Sequence, residues 1–130
     1  MNEKTEALKQ RTRDFAIRII RMGRFLPRSE EARVVGSQLL RSGTSVAANY
    51  RAACRARSRA EFIAKLGTVV EEMDETVFWL DLMTASEIMP DHRMRALHSE
   101  ADELLAIFVA SQLTVKSVSH RVRKSNNGQF

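Results

Sequence analysis

Residues 38–82 constrain the fold most, because two helical patterns and the turn between them follow one another there without a long break. The first helix has the inward positions Val35, Leu39, Ser42, Val46, Asn49 and Ala53, so that small and polar residues occupy positions where Leu or Ile would otherwise serve. The second has the inward positions Phe62, Leu66, Val69, Met73, Thr76, Leu80 and Met83. Spacings that alternate between three and four residues are typical of amphipathic helices that pack on a core. Small inward residues on the first helix predict that its neighbours approach it closely.

Two further helices are predicted outside this segment. One covers about Glu3 to Gly23, and the other begins near Pro90, a residue favoured at the first helical position. Ser29 and Ser58 are expected to cap the second and third helices, the latter in a capping box with Glu61. Short connections favour antiparallel neighbours. The sequence therefore predicts an all-α, up-down-up-down four-helix bundle over residues 1–124, followed by a disordered tail over 125–130.

Length and composition agree with one helical domain. The chain has 130 residues, two prolines and five glycines, a composition that favours helices. The lone Cys54 excludes an intramolecular disulfide, and the N-terminus has no secretory pattern. No apolar run reaches the roughly 20 residues of a membrane-spanning helix. We expect a cytoplasmic protein without a membrane partner.

Charge is distributed unevenly along the chain. Residues 1–65 contain 15 Lys and Arg against 6 Asp and Glu, whereas residues 66–130 contain 6 against 10. This asymmetry suits a polyanionic partner on the basic side and a second copy of the chain that joins acidic to basic surface. An unevenly charged solvated surface is the simpler interpretation of any single residue.

The densest basic cluster lies toward the turn between the second and third helices. Guanidinium groups bind phosphate oxygens in bidentate geometry, and several on one surface release counterions from a nucleic-acid backbone. Arginines at a helix end also complement its dipole, and this interpretation remains open. Tyr50 is the only aromatic residue near the cluster, so backbone binding is favoured over base stacking. The candidate nucleic-acid-binding residues are Arg41, Arg51, Arg55, Arg57 and Arg59.

A second set of polar residues shares the inward faces of the two central helices. Lys65 and Glu72 lie within roughly 60° of the centre of the apolar stripe. We expect them to form a bridged internal cluster with Asn49, and Ser42 lies on the same seam. A buried polar cluster usually fixes helix register, and no nucleophile and base accompany it that would indicate catalysis.

The third helix also carries apolar residues on its outer side. Phe78 lies opposite Val69, with Leu82 nearby and Trp79 at the flank, among acidic residues. A helix that is apolar on two sides usually packs on two sides. Phe78, Trp79 and Leu82 are therefore the candidate oligomer interface, although a single exposed Phe would by itself mean little.

Motifs for catalysis are missing from the sequence. Bundle di-iron sites use a Glu-x-x-His spacing, yet no glutamate stands three residues before His92, His98 or His120. Cys54 has no companion for zinc, and phosphate-binding or nucleophile-elbow motifs are absent. We expect a protein that is not an enzyme and that needs no cofactor or metal.

The residues of the two central helices resemble the four-helix-bundle protein family encoded by intervening sequences within bacterial 23S rRNA genes. The resemblance extends more loosely over the whole chain, and the family is similar to the accessory variability determinant of diversity-generating retroelements. The shared pattern consists of Gln38, Leu39, Ser42, Ser45, Ala48, Asn49, Ser58, Phe62, Lys65, Glu72, Glu75, Trp79 and Leu80. The resemblance implies a ring-shaped pentamer with nucleic acid as partner. Ala52 departs from the pattern, because the family usually has an acidic residue there.

Together these features predict a non-enzymatic, oligomeric bundle that binds RNA or DNA through a basic surface, with an adaptor role for a nucleic-acid-processing partner as one form of that function. The alternative is a structural or protein-interaction module without a nucleic-acid role. The two differ in salt dependence, because nucleic-acid binding weakens steeply as salt rises.

Overall fold

The structure, a computed structural model, describes residues 2–127 and the side chains of residues 2–118, and over that range it contains four α-helices and no strand. These are α1 (Glu3–Gly23), α2 (Glu30–Cys54), α3 (Arg59–Ala85) and α4 (Asp91–Asn127). Each helix packs on the next, and α4 also contacts α1. The predicted all-α four-helix bundle is confirmed.

The predicted capping residues begin the helices. Ser29 Oγ accepts from the backbone N–H of Ala32 at 3.2 Å, and Ser58 Oγ accepts from Glu61 N–H at 3.1 Å. Asn2 caps α1 in the same way, accepting from Thr5 N–H at 2.8 Å. These oxygens satisfy amides that have no partner within the helix.

The capping interactions observed at α3 differ from the predicted capping box in one hydrogen bond. The carboxylate of Glu61 accepts from the backbone N–H of Arg57 at 3.2 Å, and not from that of Ser58. Glu61 therefore ties the turn between α2 and α3 to the first turn of α3, one residue further back than the box pattern predicts.

The core is formed by the inward faces of the four helices. Its largest fully buried side chains are Phe15, Phe108, Ile19, Leu39, Leu66, Met73, Leu80, Met83, Met94, Leu104, Val46 and Val69. The ring of Tyr50 packs at 5.1 Å, centroid to centroid, from that of Phe108. Tyr50 is only 6% exposed, and burial raises its pKa to about 12. The one aromatic residue near the arginine cluster is thus part of the core.

The small and polar residues on the inward faces fit into the core, and the buried polar side chains among them have hydrogen-bond partners. The buried hydroxyls of Thr12, Ser42 and Thr76 each donate to a carbonyl of their own helix. Gly43 lies directly against Ile19 of α1, since a Cβ at this glycine would be 3.2 Å from Ile19 side-chain atoms. The predicted close approach to α2 is therefore present at this position.

The proposed domain boundary near residue 124 remains a prediction. Helix α4 includes residues 125–127, and residues 128–130 of the predicted disordered tail lie outside the described residues. Near the start of α3, Arg59 Nη2 donates to the Val115 carbonyl of α4 at 3.4 Å, so α4 continues past this end of α3.

Candidate nucleic-acid interface

Three of the predicted arginines line one surface pocket at the junction of α2 and α3. The pocket has a volume of about 430 Å³ and is lined by Ala48, Arg51, Ala52, Arg55, Arg57, Glu61 and Lys65. In the part of the chain that the structure describes, the side chains of Arg51, Arg55, Arg57 and Lys65 form no ion pair. We call this set of lining residues the basic pocket.

Local structure explains how these cations meet. Helix α2 ends at Cys54, and Arg55 caps it with its N–H donating to the Ala52 and Ala53 carbonyls. The chain then turns, and Ser58 caps α3, which begins at Arg59. Because α3 runs antiparallel to α2, Lys65 in its second turn comes beside Ala48. Ala48 and Ala52 leave space between the longer side chains.

The basic pocket contains one carboxylate, that of Glu61, which already accepts from Arg57 N–H. Four cationic side chains thus face one anionic side chain. Guanidinium and ammonium groups without a protein partner can give their donors to an external anion, and charge-assisted bonds of this kind are the stronger ones. The arrangement is suited to binding phosphate or carboxylate groups.

A second concavity of about 260 Å³ adjoins the basic pocket and shares Ala48 and Arg51 with it. Its other lining residues come from α1 and α2: Glu6, Lys9, Gln10, Arg13 and Ala47. Lys9 is paired with Glu6 at 3.3 Å, and Gln10 donates to Asp14 at 2.8 Å. We call this concavity the side pocket. It extends the surface from the α2–α3 junction toward the first turns of α1.

Arg41 does not lie in the basic pocket, which corrects its assignment to the same cluster. Its guanidinium binds Glu75 and lies 3.3 Å from Glu72 Oε2, both on α3. The hydrogen bond to Glu75 raises the pKa of Arg41 and lowers that of Glu75. Arg41 lies between three and four turns before the end of α2. Carboxylates of α3 neutralise it there, so it joins the two helices instead of presenting a free cation.

Arg59 is also separated from the pocket. It is exposed at the start of α3, and its guanidinium donates to Val115 of α4. The basic pocket lies on the side of α3 that faces α2. Of the five predicted arginines, the structure therefore brings together Arg51, Arg55 and Arg57.

The predicted internal polar cluster is not joined into one network. Ser42 and Asn49 bond within α2, Ser42 to the Leu39 carbonyl and Asn49 Nδ2 to Ser45 O and Oγ. Among the described residues no hydrogen bond or ion pair connects Asn49, Lys65 and Glu72. The reason is that Lys65 and Glu72 lie at the edge of the buried stripe, where their long side chains reach the surface of the α2–α3 junction.

The outer side of α3 carries the apolar residues that the sequence singled out. Phe78 is 54% exposed and Leu82 is 37% exposed. The Phe78 ring meets that of Trp79 edge to face at 4.9 Å, and Trp79 Nε1 donates to Glu75 Oε1 at 3.1 Å. Leu82 borders a groove with Val35 of α2. These positions agree with the predicted face, while oligomer formation through it remains a prediction.

Sequence reasoning assigned Lys65 to an internal cluster instead of to the basic pocket, and it did not single out Lys9 of the side pocket. An antiparallel alignment of α2 with α3, and of α1 with α2, would have placed both beside Ala48. Elsewhere, no helix among the described residues is long and apolar enough to cross a bilayer. Nor does any group of three or more His, Cys, Asp or Glu side chains in that range suit a metal ion.

Comparison with known proteins identifies the class. The family model for the 23S rRNA-intervening sequence protein matches residues 4–110. The chain therefore belongs to the family of 23S rRNA-intervening sequence proteins, as the residues of α2 and α3 indicated. No curated protein matches the chain significantly.

A solved structure supports this assignment. The chain is similar to a protein of unknown function from the S23 ribosomal protein family of Bacteroides thetaiotaomicron, whose crystal structure extends to 1.70 Å resolution. The two share 33% identity with a TM-score of 0.77, over 84% of this chain and 97% of the other. The bundle is thus a property that the two relatives have in common.

Proposed function

We propose that this protein is a non-enzymatic bundle that binds the sugar-phosphate backbone of nucleic acid through the basic pocket. The observation that carries the proposal is the convergence of Arg51, Arg55, Arg57 and Lys65 on one pocket without an ion-pair partner among the described residues. The names of the matching family and of the S23 relative both refer to ribosomal components, which supports a nucleic-acid partner.

Backbone contact is favoured over base recognition. Proteins that bind single strands by stacking present exposed aromatic rings beside the basic groups. Tyr50, the aromatic candidate near the cluster, is buried against Phe108. Contacts made by guanidinium groups to phosphates give affinity without reading the sequence. The protein would then act as an adaptor that holds nucleic acid for a processing partner.

The thiol of Cys54 is poorly suited to act as a catalytic nucleophile. Burial raises the pKa of Cys54, whose neighbour Tyr50 is itself buried. A nucleophilic cysteine requires the thiolate, which this environment disfavours. Cys54 therefore serves as a packing residue at the edge of the core.

Fluorescence anisotropy tests the proposal with structured RNA and duplex DNA titrated at low and near-physiological salt. The charge-reversed variant Arg51→Glu/Arg55→Glu/Arg57→Glu should lose saturable binding. Its matched control is Arg24→Glu/Arg28→Glu/Arg33→Glu, which changes the same charge at the opposite end of the bundle and should retain binding. Loss of affinity in both variants would indicate a general charge effect, and absence of binding by the unaltered protein would reject the proposal.

We also propose that the protein forms a homo-oligomer through the outer face of α3. The carrying observation is the exposed Phe78 beside Leu82, with the carboxylates of Glu71, Asp74 and Asp81 nearby. This face offers both apolar surface and negative charge to the basic half of another copy. The family resemblance suggests that such head-to-tail contacts close into a pentameric ring. If nucleic-acid binding fails while this association persists, the protein is an interaction module.

Light scattering after size-exclusion chromatography tests the oligomer. Phe78→Asp should reduce the particle mass while the helical circular-dichroism signal is kept. Val34→Asp, a change of an exposed apolar residue on the outer side of α2, is the control and should leave the mass unchanged. An unaltered mass in Phe78→Asp would exclude this face as the interface.

A further inference from the structure

The cations of the basic pocket are concentrated around one cavity instead of being spread along a track. Arg51 and Arg55 approach from α2, Arg57 from the turn and Lys65 from α3, around a floor of Ala48 and Ala52. An internal phosphodiester carries one negative charge, and a track that follows a backbone would distribute its cations at intervals. The positive charge of four cations, reduced only by the carboxylate of Glu61, exceeds the single negative charge of one internal phosphate.

A terminal phosphate fits this charge better. A phosphomonoester carries about −1.5 to −2 charge at neutral pH and has three strong acceptor oxygens. Guanidinium groups that approach from different backbone segments can donate to different oxygens of such a group. The lysine adds a compact charge that does not depend on a fixed planar orientation.

The side pocket supplies room for the rest of a nucleotide. It shares Ala48 and Arg51 with the basic pocket, so a group bound in one is adjacent to the other. Its floor is formed by Ala47 and Ala48, and its cations Lys9 and Arg13 border the same face. A strand that ends in the basic pocket can therefore continue across the side pocket toward α1.

We propose that the basic pocket binds the terminal phosphomonoester of a nucleic-acid strand, with the adjoining nucleoside over the Ala47–Ala48 floor. This inference rests on the proposed nucleic-acid function and narrows it from backbone binding to recognition of a strand end. Ala52 is essential to it, because a carboxylate at this position would place a second negative charge on the floor.

The test compares three versions of one single-stranded RNA that differ only in carrying a 5′-phosphate, a 3′-phosphate or hydroxyls at both ends. Their affinities are measured by anisotropy, and inorganic phosphate is then added as a competitor. For the unaltered protein we expect one phosphorylated form to bind roughly tenfold more tightly than the hydroxyl form. Inorganic phosphate should reduce this preference, because it competes with the terminal phosphate for the basic pocket. Preference for the 5′ or the 3′ form supports the proposal and identifies which end is bound.

The informative variant is Ala52→Glu, and its matched control is Ala106→Glu on an exposed position of α4. The preference for the phosphorylated form should disappear in Ala52→Glu and persist in Ala106→Glu, with circular dichroism confirming equal helix content. Equal binding of all three RNAs by the unaltered protein would overturn end recognition and leave backbone binding intact. Failure to bind any of the RNAs, or duplex DNA, would instead reject the proposed function itself.

Discussion

Arg11 of α1 and Glu100 of α4 are joined by two parallel hydrogen bonds. Arg11 Nε donates to Glu100 Oε2 at 3.0 Å, and Nη2 donates to Oε1 at 2.7 Å. Arg11 Nη2 also lies 2.8 Å from Glu103 Oε1, and these hydrogen bonds raise the pKa of Arg11. The α1–α4 interface is the least extensive among adjacent helices. This pair thus joins the two adjacent helices whose backbones approach each other least closely.

Loss of this pair should destabilise the bundle measurably. Arg11→Met is expected to lower the free energy of unfolding by about 1 kcal/mol, because the bidentate pair is partly shielded from solvent. Urea denaturation gives the value, and a double-mutant cycle with Glu100→Gln isolates the coupling. Arg95→Met removes an exposed pair with Asp91 and should cost less than about 0.5 kcal/mol. Equal costs for the two arginine changes would contradict a special role for Arg11.

Acid should disrupt the contact between α2 and α3 at Glu75. Arg41 and Trp79 both donate to this carboxylate and lower its pKa. A lowered folded-state pKa stabilises the protein above the unfolded pKa of about 4.3, and the contribution is lost as pH falls through the folded value. Fluorescence of Trp79, the only tryptophan, should therefore be constant near neutrality and change below about pH 4.

Glu75→Gln provides the control for this acid transition. The amide has no carboxyl group to titrate, so its Trp79 fluorescence should not show the same local transition before global unfolding. Identical acid profiles for the two proteins would assign the change to other groups.

Gly43 should tolerate no bulky side chain. A Cβ added at Gly43 would lie 3.2 Å from side-chain atoms of Ile19. The larger side chain of Gly43→Leu must therefore displace α1, and we expect it to lower the free energy of unfolding by about 1–3 kcal/mol. Gly23→Ala is the matched helical change, with nothing within 4 Å of its Cβ, and should stabilise by up to about 1 kcal/mol. If thermal or urea denaturation shows that both substitutions change the free energy of unfolding in the same direction, this packing assignment is wrong.

Glu87 follows α3 with a φ of 63°, the left-handed conformation that ends many helices. The Ile88 N–H next to it donates to the Met83 carbonyl at 3.0 Å, which closes the helix end. Glu87→Gly should raise the free energy of unfolding by about 1 kcal/mol, because glycine adopts this φ without a Cβ clash. Glu87→Ala keeps the Cβ and should give no such gain, which separates backbone strain from loss of charge.

Salt dependence should report how many cations contact the nucleic acid. If Arg51, Arg55 and Arg57 each neutralise a separate phosphate of a duplex DNA backbone, the slope of log affinity against log salt should decrease in magnitude by about 2.7 in the triple Gln variant. A smaller decrease is expected if the three arginines share one terminal phosphate. The Gln changes at Arg24, Arg28 and Arg33 should leave that slope unchanged. A parallel decrease in both variants would show that the ligand does not select the basic pocket.

The sequence by itself determined the helices and their inward faces. Alternating spacings placed Leu39, Val46 and Val69 in the core, and Ser29 and Ser58 at helix starts, because these patterns depend on local geometry and nearby hydrogen bonds. The same periodicity placed Phe78 on the outer side of α3, where it is exposed.

Only the tertiary structure decided which charged residues meet. Arg41 and Arg51 are both on α2, yet Arg41 is bound to Glu75 while Arg51 lines the basic pocket with Lys65. Their environments depend on the register of α3 against α2, which brings together residues far apart in sequence. Long charged side chains at the edge of a helix can reach either a neighbouring helix or the solvent. Helical period alone does not distinguish these outcomes, because packing between helices fixes which partner is within reach.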